Sequence, residues 1–324
     1  MRSRRDVRLL AVLLGVGLLL GVTGGATYAA FFATTSNAGN SFTAGPDTTP
    51  PTATSVIGRV TSYLTGSIRQ GGNYYVYANV TDTGNPASGV ATVRADVSQI
   101  STGQTSVSLF TGPCPCTVGG VTYVYRSNAV VANNPLAAGS RSYTLTLTDN
   151  AGNSQTQTGF SVMVDNTSPT GVDIQTANGG ATVGHAENGD TITYTFSEPI
   201  DPQSILGGWT GAATTVQVRF GDAVCGANDR VRIRDTSGNV LPLGDDCLGR
   251  SDYVTTTRTF TTSTMVQSGN TITVTLNNAS VLATGTAAGP GTMTWTPNAS
   301  ALDAAGNACS TAVATESGAA DPEF

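Results

Sequence analysis

The chain reads as an all-β protein, two β-sandwiches in tandem behind a short apolar N-terminal helix, and three observations carry that expectation. Apolar residues alternate with threonine at a period of two in segment after segment, which lays one apolar and one hydroxyl face on a strand. One turn, Asp-x-x-Gly-Asn, recurs at 149–153, 235–239 and 303–307. Beyond the N-terminus no stretch carries the 3.6-residue apolar period of a long helix. The composition agrees: hydrophobic residues make up 39%, enough for packed cores, while charged residues make up only 11%. That is less than half the usual charged fraction, so Thr, Ser, Asn and Gln must supply the surface polarity. At 324 residues the chain exceeds one typical domain and fits two.

The N-terminus comes first. Arg2, Arg4, Arg5 and Arg8 precede the apolar run LLAVLLGVGLLLGV at residues 9–22. A basic flank, a short apolar core and small residues beyond it form the pattern of a bacterial signal peptide. At helical rise the run spans about 21 Å, short of a bilayer core of about 30 Å, so cleavage is expected rather than a permanent anchor. The following stretch, GGATYAAFFATTSNAGNSFTAG, resembles the processing region of the camelysin/TasA family of Gram-positive matrix-fibre proteins. Thr27-Tyr28-Ala29 sits at that family's cleavage position, and Phe42-Thr43-Ala44-Gly45 echoes its later Thr-Phe-Ala-Ser-Gly-like segment. The resemblance stops before Asp47. It implies export from a Gram-positive-type bacterium, with cutting near Ala29 or Ala30.

The boundaries follow from the linkers. Residues 1–29 read as the signal peptide and 30–47 as an N-terminal segment and linker. DTTPPT, at 47–52, is a stiff Pro-Pro entrance to a first module at 48–166. DNTSPT, at 165–170, opens a second module at 167–316, and 317–324 form a tail. In the first module Val76, Ala78 and Val80 share a face, as do Tyr143, Leu145 and Leu147, and Phe160, Val162 and Val164. In the second, Ile192, Tyr194 and Phe196 alternate with threonines. So do Val216, Val218 and Phe220, then Val231 with Ile233, Ile272 with Val274 and Leu276, and Met293 with Trp295. The second module is long, and residues 221–258 read as an inserted hairpin or loop. In the recurring turns an Asp carboxylate accepts backbone N–H groups while Gly supplies the positive φ.

These segments carry a second resemblance. YTLTLTDNAGN, a further strand and then DNTSPT are similar to the last hairpin and exit linker of bacterial immunoglobulin-like repeats. Gly139 and Tyr143 resemble that fold's tyrosine corner. GDTITYTFSEPIDPQSILGGWTG, GNTITVTLNNAS and MTWTPNASALDAAGNA resemble the immunoglobulin-like domains of bacterial surface-layer and adhesin proteins. The expected fold is therefore two tandem immunoglobulin-like sandwiches after a signal helix.

Chemistry-bearing residues are few. Cys225 and Cys247 flank the suspected insertion, and a disulfide there closes a loop of about 22 residues, stabilising it by about 3 kcal/mol in the chain-entropy model. For Cys114, Cys116 and Cys309 the sequence leaves the pairing open. His185 is the only histidine, and no nucleophile motif accompanies it. The carboxylate pairs Asp245-Asp246 and Glu198 with Asp201 sit in turn-like contexts, so no catalytic residues are expected. No metal centre or cofactor is assigned, although Asp82, Asp149 and Asp165 are weak candidates for calcium, which favours clustered oxygens. Trp209, in the Gly-rich ILGGWTG, is a candidate ligand contact, although so large an aromatic is more often buried or plugging a sheet edge; Trp295 reads as core. Arg230, Arg232 and Arg234 form a one-face stripe, suited either to an acidic glycan or to deterring pairing at a strand edge.

A net charge of −6 and a pI near 4.6 argue against nucleic acid as a partner. The chain has no lysine, which removes lysine–asparagine isopeptide cross-links. The expected function is a secreted or cell-surface structural or adhesive protein, not an enzyme, with a cell-surface or matrix component as partner. Two alternatives stand beside it. One is a homo-polymeric matrix fibre in which the segment after the cleavage site completes a neighbour's sheet by β-strand addition. The other is a carbohydrate-binding module that uses Trp209.

Overall fold

Strands with one apolar face must bury it, and in the computed structural model they do so in two separate cores. The structure describes residues 45–278, 285–320 and 322–324. The expected signal helix, the Ala29/Ala30 cleavage site and the strand proposed to follow it fall outside the described residues.

The first core is enclosed by β1 (Thr52–Arg59), β2 (Ser67–Ile68), β3 (Asn73–Thr81), β4 (Val90–Asp96) and β5 (Val107–Phe110). A small hairpin, β6 (Cys116–Val118) and β7 (Val121–Tyr123), then leads to β8 (Tyr125–Ser127) and β9 (Val130–Val131). Two long strands, β10 (Gly139–Asp149) and β11 (Ser154–Val164), complete it. The order is β1-β3-β8-β5-β4-β10-β11-β2, with β9 beside β3. All pairings are antiparallel except β2, which runs parallel to β11. Val76, Ala78, Leu145, Leu147, Val162 and Val164 are buried as their alternation predicts, with Val80 and Phe160 at the margin.

The second core lies among β12 (Gly171–Ala177), β13 (Thr191–Phe196), β14 (Thr214–Cys225), β15 (Asn228–Arg234) and β16 (Asp245–Cys247). It continues through β17 (Arg258–Ser268), β18 (Thr271–Thr275), β19 (Thr294–Thr296) and β20 (Ala314–Thr315). These strands pair in the order β12-β13-β18-β17-β14-β15-β16-β19-β20. A one-turn helix, α1 (Pro202–Ile205), is capped by Asp201, which accepts the Gln203 N–H. Trp295 lies at the centre, edge-on to Tyr194 and Phe196, and gives its indole N–H to the Leu243 carbonyl at 2.7 Å.

The structure adds to the sequence reading in three places. Residues 221–258 are woven into the sheet: β15 sits between β14 and β16, and Val231, Ile233, Leu241, Leu243 and Tyr253 are part of the core. Their length belongs to the sheet itself, whose strands here are joined by longer connections. Tyr143 stacks on Phe160 and donates its hydroxyl to the Ser55 hydroxyl at 3.1 Å, tying β10 to β1 rather than closing a corner on nearby backbone. Cys225 and Cys247 lie at disulfide distance, their Cα atoms 5.8 Å apart, and Cys114 with Cys116 do the same at 4.6 Å. Cys309 is buried and unpaired among the described residues.

Both tryptophans belong to the second core. Leu145→Ala in the first core should therefore cost about 2–5 kcal/mol, seen as a lower midpoint by far-UV circular dichroism. The tryptophan-fluorescence midpoint should move less; an equal shift of both would show that the two cores unfold as one cooperative unit.

Candidate functional site

The sequence brings an aspartate to the start of each linker, and the fold places two further carboxylates beside it. At the entrance to the first sandwich the side-chain oxygens of Asp47, Asp82 and Asp149 lie within 4.8 Å of one another. At the second, Asp165, Glu198 and Asp303 do the same.

The two seams are built alike. Asp47 Oδ1 accepts the Thr49 N–H at 3.0 Å, and Asp165 Oδ1 accepts the Thr167 N–H at 2.9 Å. In the turn at 149–153 Asp149 holds the Asn153 N–H and side-chain amide, each at 2.8 Å. Asp303 holds the Asn307 N–H at 2.7 Å and its amide at 2.8 Å. Each turn asparagine then reaches back to the linker aspartate's carbonyl: Asn153 to Asp47 at 2.9 Å, Asn307 to Asp165 at 3.0 Å. One recurrent knot thus fastens a module's last hairpin to its entrance.

A glycine permits the closest approach at each seam. A Cβ at Gly84 would lie 2.1 Å from the Asp47 carboxylate. At Gly306, which has φ +97°, a Cβ would lie 2.4 Å from the Arg59 side chain.

The seams differ in how they offset three like charges. In the first, N–H groups of Thr49 and Ser88 hold Asp47 below the usual carboxylate range. Asp82 accepts from Gly84 and Gly89. In the second, burial first, then the charges of Asp303 and Asp165, raise Glu198 to about 7. Burial also raises Asp303, and it lifts the nearby Cys309 thiol to about 11. Three oxygen donors at this spacing have the chemistry a hard cation such as calcium requires. The same oxygens are already engaged by turn N–H groups, which alone account for the aspartates at turn positions.

Of the calcium candidates, Asp82 and Asp149 come together, but Asp165 belongs to the other seam. Asp47, Glu198 and Asp303 complete the clusters without having been singled out for this role. The parallel between DTTPPT and DNTSPT, together with the repeated Asp-x-x-Gly-Asn turn, was the available signal. Trp209 does not offer a face to a ligand: it is 5% exposed, and its indole N–H goes to the Ala212 carbonyl at 2.5 Å. Folding the loop onto the core uses its apolar area. His185 approaches the Gly285 carbonyl at 3.1 Å. The two carboxylate pairs separate: Asp246 is buried against the Tyr194 hydroxyl and raised to about 8 by that burial, while Asp245 binds Arg232. Glu198 joins the second seam, and Asp201 binds Arg59.

No family profile matches the chain, and none of the curated proteins does.

Glu198 gives this site a pH signature. Its folded-state value near 7 exceeds the ordinary 4.5. The folded protein therefore binds the extra proton between those values, and the contribution is full below about 4.5 and lost as pH rises through about 7. The melting midpoint of wild type minus that of Glu198→Gln should fall over this window; Asp246 declines with the same sign in both proteins and cancels. A flat difference would contradict the crowded cluster. At pH 8, calcium raising wild type alone would identify a cation site; an equal response in both proteins would dismiss it.

Proposed function

We propose that this chain is an exported, non-catalytic structural or adhesive protein whose mature part is two immunoglobulin-like sandwiches held as one stiff element outside the cell. The observation that carries the stiffness is the ion pair between Arg59, at the end of β1, and Asp201, at the start of α1. Asp201 is fully buried, and the Arg59 side chain is 13% exposed. The Tyr63 N–H also points to Asp201, at 3.4 Å. A charge pair withdrawn from water resists separation, because either partner alone would be buried and uncompensated.

The address rests on the N-terminal sequence: a basic flank, an apolar core and a processing region similar to that of matrix-fibre proteins. The two cysteine pairs at disulfide distance are compatible with an oxidising compartment. The expected partner is a component of the surface or matrix, met by the faces of the sandwiches rather than by a catalytic cleft.

Fractionating the native culture tests this reading. The protein should appear in the medium or the surface wash, with a mature N-terminus at Ala29 or Ala30 by mass spectrometry. Full-length protein confined to the cytosol would contradict it.

A further inference from the structure

Six of the chain's fifteen arginines lie between residues 219 and 258. Four of them share one outer surface. Val218 and Phe220 of β14 and Val231 and Ile233 of β15 take the inner face, which turns Arg219, Arg230, Arg232 and Arg234 outward. Arg219 stands directly opposite Arg232 in the ladder. Like charges in that relation destabilise a sheet, so folding alone does not favour the arrangement. Nor does protection of an edge explain it, because β15 is paired on both sides, to β14 and to β16.

With Gly221, Val224 and Thr257 the four arginines line a groove of about 140 Å³. Gly221 has no side chain to fill its floor, and Val224 is 46% exposed beside it. Burial and the charges of Arg219, Arg232 and Arg230 hold Arg234 below the ordinary arginine range. Among the described residues one carboxylate pairs with the row: Asp245 takes both Nε and Nη2 of Arg232 in a planar fork. Arg219, Arg230 and Arg234 make no ion pair among the described residues.

We propose that this groove binds a carboxylated polysaccharide, a chain of acidic sugars laid along β15. Alternate residues of a strand step by about 6.8 Å, so Arg230, Arg232 and Arg234 present a row too long for one small anion. A polymer with one carboxylate on each sugar meets the row repeatedly. The Asp245 fork shows the seat that a planar carboxylate takes on this surface. Val224 and Thr257 add apolar and hydroxyl wall against which a sugar ring can rest. The net charge of −6 keeps the attraction local to the groove. The choice of a glycan rests on the exterior location proposed above.

The test is calorimetric titration of the mature protein with a short polygalacturonate oligomer. Parallel titrations use galacturonate monomer, a neutral oligosaccharide of equal length and inorganic polyphosphate. Saturable, salt-weakened binding of polygalacturonate is expected, with monomer, neutral sugar and polyphosphate each much weaker. Arg219→Gln and Arg230→Gln should each lower affinity by about tenfold. Arg219 is exposed, so Arg219→Gln decides the matter if Arg230→Gln fails to fold. Absent binding, equal binding of polyphosphate, or unchanged affinity in the folded variants would overturn the inference. Any of these in a protein still found outside the cell leaves the location standing; cytosolic protein that binds polygalacturonate overturns the location alone.

Discussion

A charge pair withdrawn from water, Arg59 with Asp201, bridges the two β-cores. Asp201 loses all contact with solvent, which is costly for a carboxylate, and the cost is offset by Arg59, by the Tyr63 N–H and by its own capping of α1. Arg59 lies against Gly306 of the turn at 303–307, where any side chain would displace it. The same turn supplies Asp303 to the second acidic seam, and Asn307 to the carbonyl of Asp165. The contact between modules, the linker and the last hairpin of the second module are therefore one bonded assembly.

The repeated seam shows how one bonding pattern tolerates different electrostatics. In the first module, backbone N–H groups are numerous enough for Asp47 to stay ionised beside two other acids. In the second, a longer glutamate stands where the first has Asp82, its carboxyl and that of Asp303 are raised by burial, and the proton becomes the compensating charge. Identical hydrogen-bonded knots can thus respond differently to pH.

Much of the fold was legible because period-two alternation leaves a strand only one face to bury. Val218, Val231, Ile272 and Trp295 all lie where that pattern puts them. What the pattern omits is which strands are neighbours. Strand β15 was legible as a strand with a basic face, yet its interior position depends on β16, three residues long and without an alternating signature. The pattern likewise gave no sign that residues 221–258 are woven into the sheet. Asp82 and Asp149 of the first acidic cluster and Asp165 of the second were legible from turn and linker chemistry; the rest required knowing that the linker aspartate folds back on the final hairpin. Trp209 stood between ligand contact and core burial because a Gly-rich setting resembles an exposed loop; here the loop places the ring in the core.

A double-mutant cycle on Arg59→Met and Asp201→Asn tests the tandem element most directly. Asparagine keeps the helix cap while removing the charge, so the cycle isolates the pair. The account predicts a coupling free energy of at least about 1 kcal/mol in unfolding. A coupling of zero within error would show that the pair does not join the sandwiches in solution, and the stiff two-module element would fall with it.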